Sequence, residues 1–419
     1  IISLALLGYG ASGTFVALNK ARLVERFEYV YGASAMLCGI SMVACFVIAQ
    51  RVPFNALAIV WEPGQFFYLS AIYAIFFLPF FFAASCVCMA FTCRKTEISR
   101  IYFFDLLGAG LGATCIIAAL FALPLQDALL VVASGSILGS VVVYSQLKRR
   151  WFVLAPIAAL VILLTAVPKQ QLEIRLSEYK GLHQAMQVIG TKKLTELSSP
   201  LGLLTVVDSP EVPFRQAPGL SFNARSIPPK QLGVFTDGDS LSVITEYDGD
   251  PSSHQYLGDV TAALPYQLVD KPSVLILGAG AGYDTLMALH NGARSVDSVE
   301  LNPQMTALVD TLYADFAGHL YADDRVSLHT AEARGFVARS ESQYDVVQIG
   351  LLDSFAVAGS GVQALGESYL YTVEALKEYL KHLTPGGLLA ITRWVKSVSY
   401  THLRAHETKT RISYCGFGV

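Results

Sequence analysis

Three groups of residues in the C-terminal half have types and spacings that suit one ligand. The segment Leu277-Gly278-Ala279-Gly280-Ala281-Gly282-Tyr283-Asp284 ends an apolar run and opens a helical one. Glycines at such a turn let the backbone bend tightly and come close to a ligand at a helix N-terminus. A second apolar run ends in Val299-Glu300-Leu301-Asn302-Pro303, with Glu300 placed 22 residues after Gly278. A carboxylate accepts two hydrogen bonds at once, which suits the paired hydroxyls of a ribose. A third run ends in His329-Thr330-Ala331-Glu332-Ala333-Arg334, and a carboxylate there can accept from an adenine amino group. Gly278, Gly280, Gly282, Glu300 and Glu332 are therefore the candidate cofactor-binding residues, and the ligand they suit bears an adenosine. A nicotinamide dinucleotide also fits this chemistry, but the loop lacks the third glycine at the usual dinucleotide spacing. The plain alternative is a set of turn glycines and solvated strand-end acids.

The elements that must hold these residues follow from periodicity. Apolar strand runs lie at 273–278, 295–300, 326–330, 345–350 and 387–393, with helical stretches at 283–291, 303–317, 332–339 and 367–383. Alternating strands and helices predict a parallel sheet with helices on both faces. Upstream, 201–208 and 232–236 read as short strands, with turn signals at Asp237-Gly238 and Asp248-Gly249. Residues 168–271 thus read as a linker and β-rich subdomain, and 272–396 as the cofactor-binding domain.

The first 167 residues differ in kind. They hold ten Lys/Arg and six Asp/Glu, whereas the remainder is net acidic by seven charges. The whole chain is 53% hydrophobic and 15% charged, with a mean hydropathy of +0.48. A typical soluble domain is about 25% charged, which excludes one soluble globular protein. The net charge of −3 offers no basic surface for nucleic acid. Apolar segments at 1–18, 33–50, 66–91, 101–123, 127–145 and 151–167 approach the ~20 residues that a spanning helix needs. The expectation is a multi-pass protein of the bacterial inner membrane, with about six transmembrane helices and the lipid bilayer as a partner. Basic residues concentrate in alternate loops. Six spans would put residue 168 onward outside the cytoplasm, where nucleotide-like cofactors are unusual, so the side stays open. Asp105, inside the fourth segment, reads either as a ligand or proton site or as an interfacial residue paired with Arg100 or a helix-end amide. Gly108 and Gly112 form a GxxxG suited to close helix packing. No Cys or His spacing suits a metal, and none is expected. The chain opens inside an apolar run, which reads as a truncated start. Residues 397–419 lose all periodicity and read as a non-native tail.

Residues 196–394 resemble the spermidine/spermine synthase family, and the preceding spans are similar to its membrane-fused bacterial members. The segments that carry the resemblance are Ser199–Asp208, Phe235-Thr236-Asp237-Gly238, the glycine loop with Glu300 and Glu332, Tyr344-Asp345-Val346-Val347, and Tyr369 through Gly387. It implies a multi-pass α-helical region followed by a Rossmann-like α/β domain of the class I S-adenosylmethionine-dependent transferase type, with a small β-rich part before it. It also implies S-adenosylmethionine or its decarboxylated form as cofactor or co-substrate. The departures fall on the amine side. Ala281 and Gly350 stand where the family carries acids, and Leu257-Gly258-Asp259 keeps only the acid of a Tyr-His-Glu segment. Asp353 remains, as a base or as a helix N-cap. Asp259, Ser354 and Tyr369 fall on the substrate side. Replacement of two acids weakens the case for aminopropyl transfer to a diamine. The readings that stay open are a membrane-anchored transferase acting on a small-molecule acceptor such as an amine, a methyltransferase, a non-catalytic adenosine-ligand module, and a transporter with a regulatory domain.

Overall fold

A computed structural model describes residues 2–55, 58–178, 180–224, 226–351 and 369–393, leaving aside the side chains of Val60 and Tyr369. Asp353, Ser354 and the 397–419 tail lie outside the described residues. The chain divides into two compact units, one of 1–175 with 198–200, the other of 176–197 and 201 onward.

In the first unit the apolar runs form helices, because a backbone surrounded by apolar side chains satisfies its polar groups within its own helix. They are α1 (Ile2–Leu18), the short α2 (Lys20–Glu25), α3 (Phe27–Ala49), α4 (Gly64–Cys93), α5 (Ile98–Ala122), α6 (Leu125–Ser145), α7 (Leu154–Thr165) and the one-turn α8 (Lys169–Leu172). Among the described residues, four helical segments are long and apolar enough to cross a membrane: Phe27–Ala49, Gly64–Cys93, Lys95–Ala122 and Leu125–Ser145. The first and last of the six expected spans are shorter.

Two expectations in this unit are corrected. Arg100, a suggested partner for Asp105, instead pairs with Glu97 at 4.0 Å and lies over the Phe104 ring. Gly108 and Gly112 face open space, where an added Cβ would meet nothing within 4 Å. Close glycine packing occurs on α3 instead. A Cβ on Gly39 would strike the Ala133 carbonyl and sit 2.7 Å from Ile137 Cγ1, and one on Gly32 would strike the Tyr144 ring. Both contacts bring α3 against α6.

The second unit holds two sheets. After α9 (Gly181–Met186), strands β1 (Lys192–Ser199), β2 (Gly202–Asp208), β3 (Gln231–Thr236) and β4 (Ser240–Thr245) form a four-stranded sheet in that order. The pairs β2–β3 and β3–β4 are antiparallel. Then follow α10 (Leu264–Leu268), β5 (Ser273–Leu277), α11 (Tyr283–His290), β6 (Ser295–Glu300), α12 (Pro303–Ala307), β7 (Val326–Thr330), α13 (Ala333–Arg339), β8 (Tyr344–Ile349), α14 (Val373–Lys381) and β9 (Leu383–Ile391). The five later strands form a parallel sheet of order β7-β6-β5-β8-β9. The parallel sheet agrees with the sequence pattern. β5 is buried along its whole length, which explains its unbroken apolar run. Val274 and Ile276 pack on one face with Ile244, Tyr256 and Met287. Leu275 and Leu277 pack on the other with Val337 of α13 and Tyr379 of α14.

Two boundaries differ from the periodicity. The helix expected at 303–317 ends as α at Ala307 and continues as a π-helical turn, Leu308–Leu312. β9 begins at Leu383, and its pairing with β8 is irregular between Tyr344 and Val346, where Pro385-Gly386-Gly387 interrupts the ladder.

Candidate functional site

In an open parallel sheet, ligands bind beyond the carboxyl ends of the strands where the strand order reverses. Here that point lies between β5 and β8, the central pair. The glycine loop leaves β5 there, and Gly350 leaves β8 beside it.

Gly278, Gly280 and Gly282 all adopt positive φ, at 81°, 53° and 88°, a region that side chains with a Cβ avoid. At Gly282 space is short as well, since a Cβ would lie 2.6 Å from Leu320 Cδ2. The loop amides are all engaged. Gly278 and Ala279 N–H donate to the Val299 carbonyl at 2.9 and 3.0 Å, and Gly282 N–H donates to the Ala279 carbonyl at 3.0 Å. Gly280 N–H donates to Glu300 Oε2 at 2.9 Å, and Ala281 N–H to Ser242 Oγ at 3.1 Å. Glu300 Oε1 accepts from Asn302 N–H at 2.9 Å. Glu300 thus clasps the loop to the end of β6 while each of its oxygens keeps a further lone pair. A pyrophosphate needs free N–H groups aimed at it. With its amides spent, this loop offers close backbone approach and a ribose-type acceptor rather than a phosphate cradle.

Glu332 lies just beyond Thr330, the register partner of Glu300. Its exposed carboxylate caps α13, accepting from Arg334 N–H at 2.9 Å and Gly335 N–H at 2.6 Å. Gly loop, Glu300 and Glu332 therefore share one end of the sheet, with Glu332 also serving as a helix cap. Asp259 closes the 3-10 helix Pro251–Gly258, and its carbonyl accepts from Ser221 N–H at 2.9 Å. Tyr369 opens the 3-10 turn Tyr369–Tyr371.

Sequence reasoning passed over four residues at the loop. Asp284, in the first turn of α11, turns its carboxylate toward the end of β8. Its Oδ1 accepts from Gln348 Nε2 at 2.9 Å, and Gln348 Oε1 accepts from the Tyr266 hydroxyl at 2.6 Å. Burial pushes the Asp284 carboxyl up to about 6, against a partial opposing pull from the Gln348 hydrogen bond. Burial and the nearby Asp284 charge raise Tyr266 well above the ordinary phenol value. A Cβ on Gly350 would collide with Asp284 Oδ2. The signal that could have found this group is Gln348, a fully buried amide inside the apolar run Val346-Val347-Gln348-Ile349. Ser242, the fourth, reaches the loop from β4 and carries no local pattern.

No family model matches the chain. An uncharacterized protein of Methanocaldococcus jannaschii is 25% identical over 208 residues, which cover 43% of this chain and 53% of the relative. The chain thus spans about half the length of that curated relative. Among solved structures, spermidine synthase from Thermotoga maritima is 17% identical, with 48% of this chain and 55% of that one covered and a TM-score of 0.31. A SAM-dependent methyltransferase from Agrobacterium tumefaciens is 19% identical, with 47% and 58% covered and a TM-score of 0.30. A spermidine synthase in complex with the transition-state analogue AdoDATO is 18% identical, with 46% and 53% covered and a TM-score of 0.30. At these scores the likeness carries no functional inference.

Proposed function

We propose that the chain is a membrane-anchored transferase whose α/β domain binds S-adenosylmethionine or its decarboxylated form and acts on a small-molecule acceptor. The observation that carries this reading is the clasp of Glu300 on the Gly280 amide at the point where the strand order reverses. It leaves acceptor lone pairs for a ribose and no free loop amides for phosphate. When bound, such a ligand supplies an alkyl carbon made electrophilic by its sulfonium. The protein's part is placement: Gly278, Gly280 and Gly282 allow close approach, Glu300 receives the ribose, and Glu332 faces the adenine side. Four apolar helices long enough to span a bilayer support the anchoring, and the inner membrane of a bacterium is the location proposed. Asp259, Ser354 and Tyr369 are proposed to line the acceptor side, with Asp353 as a base.

The test is calorimetric binding of both forms to the full chain in detergent. Both should bind wild type, and Glu300→Ala should weaken binding roughly 10–100-fold through loss of charge-assisted hydrogen bonds. Preference for the decarboxylated form points to aminopropyl transfer, and preference for the intact form to methyl transfer. Binding of neither form rejects the reading.

A further inference from the structure

The first turn of α11, beside the glycine loop, holds a carboxylate that no cationic side chain among the described residues pairs with. Asp284 is contacted from α10 and β8 through the Tyr266–Gln348 pair. Tyr283 of α11 and Tyr321 lie close enough for its charge to raise their pKa. All three phenols are pushed above their ordinary value, so they stay neutral through the physiological range. Among the described residues no Lys, Arg or His pairs with Asp284. Its Oδ2 stands in the space that any side chain at 350 would enter. Glycine at 350 is therefore what admits the carboxylate to the carboxyl ends of β5 and β8, beside the glycine loop.

We propose that Asp284 is the ammonium-binding carboxylate of this site, a specificity residue that receives a primary ammonium group beside the glycine loop. The inference rests on the adenosyl-ligand reading. The ammonium has two possible sources, the side chain of the adenosyl ligand itself or a separate amine. In either case a part-buried carboxylate whose partner among the described residues is the neutral Gln348 amide gains a cationic one, and its remaining lone pairs become charge-assisted acceptors. Gln348 fixes the carboxylate without neutralising it, because an amide contributes a hydrogen bond and no charge.

The experiment is calorimetry on the full chain in detergent with three probes. Methylthioadenosine carries no ammonium, S-adenosyl-3-thiopropylamine carries one, and 1,4-diaminobutane is added in the presence of methylthioadenosine. Asp284→Asn should leave methylthioadenosine affinity unchanged and weaken an ammonium probe roughly 10–100-fold. Loss on the thiopropylamine assigns the ammonium to the adenosyl ligand, and loss on diaminobutane assigns it to a separate amine. A measurement on the unaltered chain needs no variant to fold. Affinity for the ammonium probe should rise between pH 5 and 7 as the carboxyl ionises, with proton release on binding near pH 6, while methylthioadenosine affinity stays flat. The double variant Asp284→Ala, Gly350→Asp should restore ammonium binding by returning a carboxylate to the same volume. The proposal is overturned if Asp284→Asn binds the ammonium probes like wild type, or if methylthioadenosine binds and neither ammonium probe shows the pH rise. Failure of every adenosyl probe on wild type rejects the adenosyl reading and this inference with it, an outcome distinct from selective failure of the ammonium probes.

Discussion

Asp284 and Asp345 act at opposite ends of β8 and titrate with opposite consequences. Asp345 accepts from Ser273 N–H and Ser273 Oγ, each at 2.9 Å, and from Thr384 Oγ1 at 2.7 Å, and it pairs with Arg294 at 2.8 Å. The Ser273 amide, followed by the Thr384 and Ser273 hydroxyls and the Arg294 charge, holds its carboxyl below the usual range against a partial burial penalty. Stability from such a group is present above the ordinary carboxylate value and is lost as pH falls through the lowered one. Asp345→Asn should therefore cost about 1–3 kcal/mol at neutral pH, read as a lower melting temperature whose deficit shrinks toward pH 3. The Asp284 carboxyl is raised to about 6. The folded state then holds the proton more tightly than the unfolded state, so stability falls as pH rises from the ordinary carboxylate value to about 6. Asp284→Asn keeps the shape and an acceptor for Gln348. It should raise the melting temperature by about 2–4 °C at pH 7.5 and by much less at pH 4. An equal gain at both pH values would mean that titration of Asp284 is not the cause. The position of Glu300 at the end of β6 was legible from spacing, whereas its hydrogen bonds to the Gly280 and Asn302 amides were not. Asp284 was not, because its partners Gln348 and Tyr266 lie far away in sequence and converge only when β8 and α10 pack.

Glycine plays two separable parts at the level of elements. In the loop, Gly282 caps α11 in the left-handed region with Leu320 against it. Gly282→Ala should destabilise by both strain and crowding, at roughly 1–3 kcal/mol. Gly292 has φ 85° with nothing within 4 Å, so Gly292→Ala carries the strain alone and should cost less. In the helical unit, Gly39→Ala meets the Ala133 backbone carbonyl, which cannot swing aside as a side chain would. It should lower the melting temperature of the detergent-solubilised chain, whereas Gly108→Ala should not. A local GxxxG count pointed to Gly108 and Gly112, because spacing within one helix does not show which face meets a neighbour. The central strands β5 and β8 were legible because burial along their length goes with mostly apolar runs. β1 was missed, since Lys192–Ser199 is largely polar and mostly exposed or half-buried, and β4 was missed although Val243 and Ile244 are buried, because Ser240 and Ser242 break its apolar run.

Composition divides the whole molecule more sharply than any motif does. Large apolar side chains stay exposed along the four long apolar helices, among them Phe67 at 78% and Val142 at 63%. Such surface is stable in lipid and costly in water. The chain should therefore remain in the membrane pellet after alkaline carbonate and dissolve only in detergent, and release by carbonate would reject the spanning reading. Four of the six expected spans correspond to helices long enough to cross a membrane, and the other two, at 1–18 and 151–167, correspond to shorter apolar helices. The packing of the Asp284 carboxylate into the space above Gly350 also reaches beyond this one chain. Two positions that share one volume cannot drift independently over evolutionary time. Homologous sequences should fall into two classes, one with an acid at position 284 and glycine at 350, the other with a larger residue at 350 and no acid at 284. Chains that carry both an acid and a bulky residue should be rare.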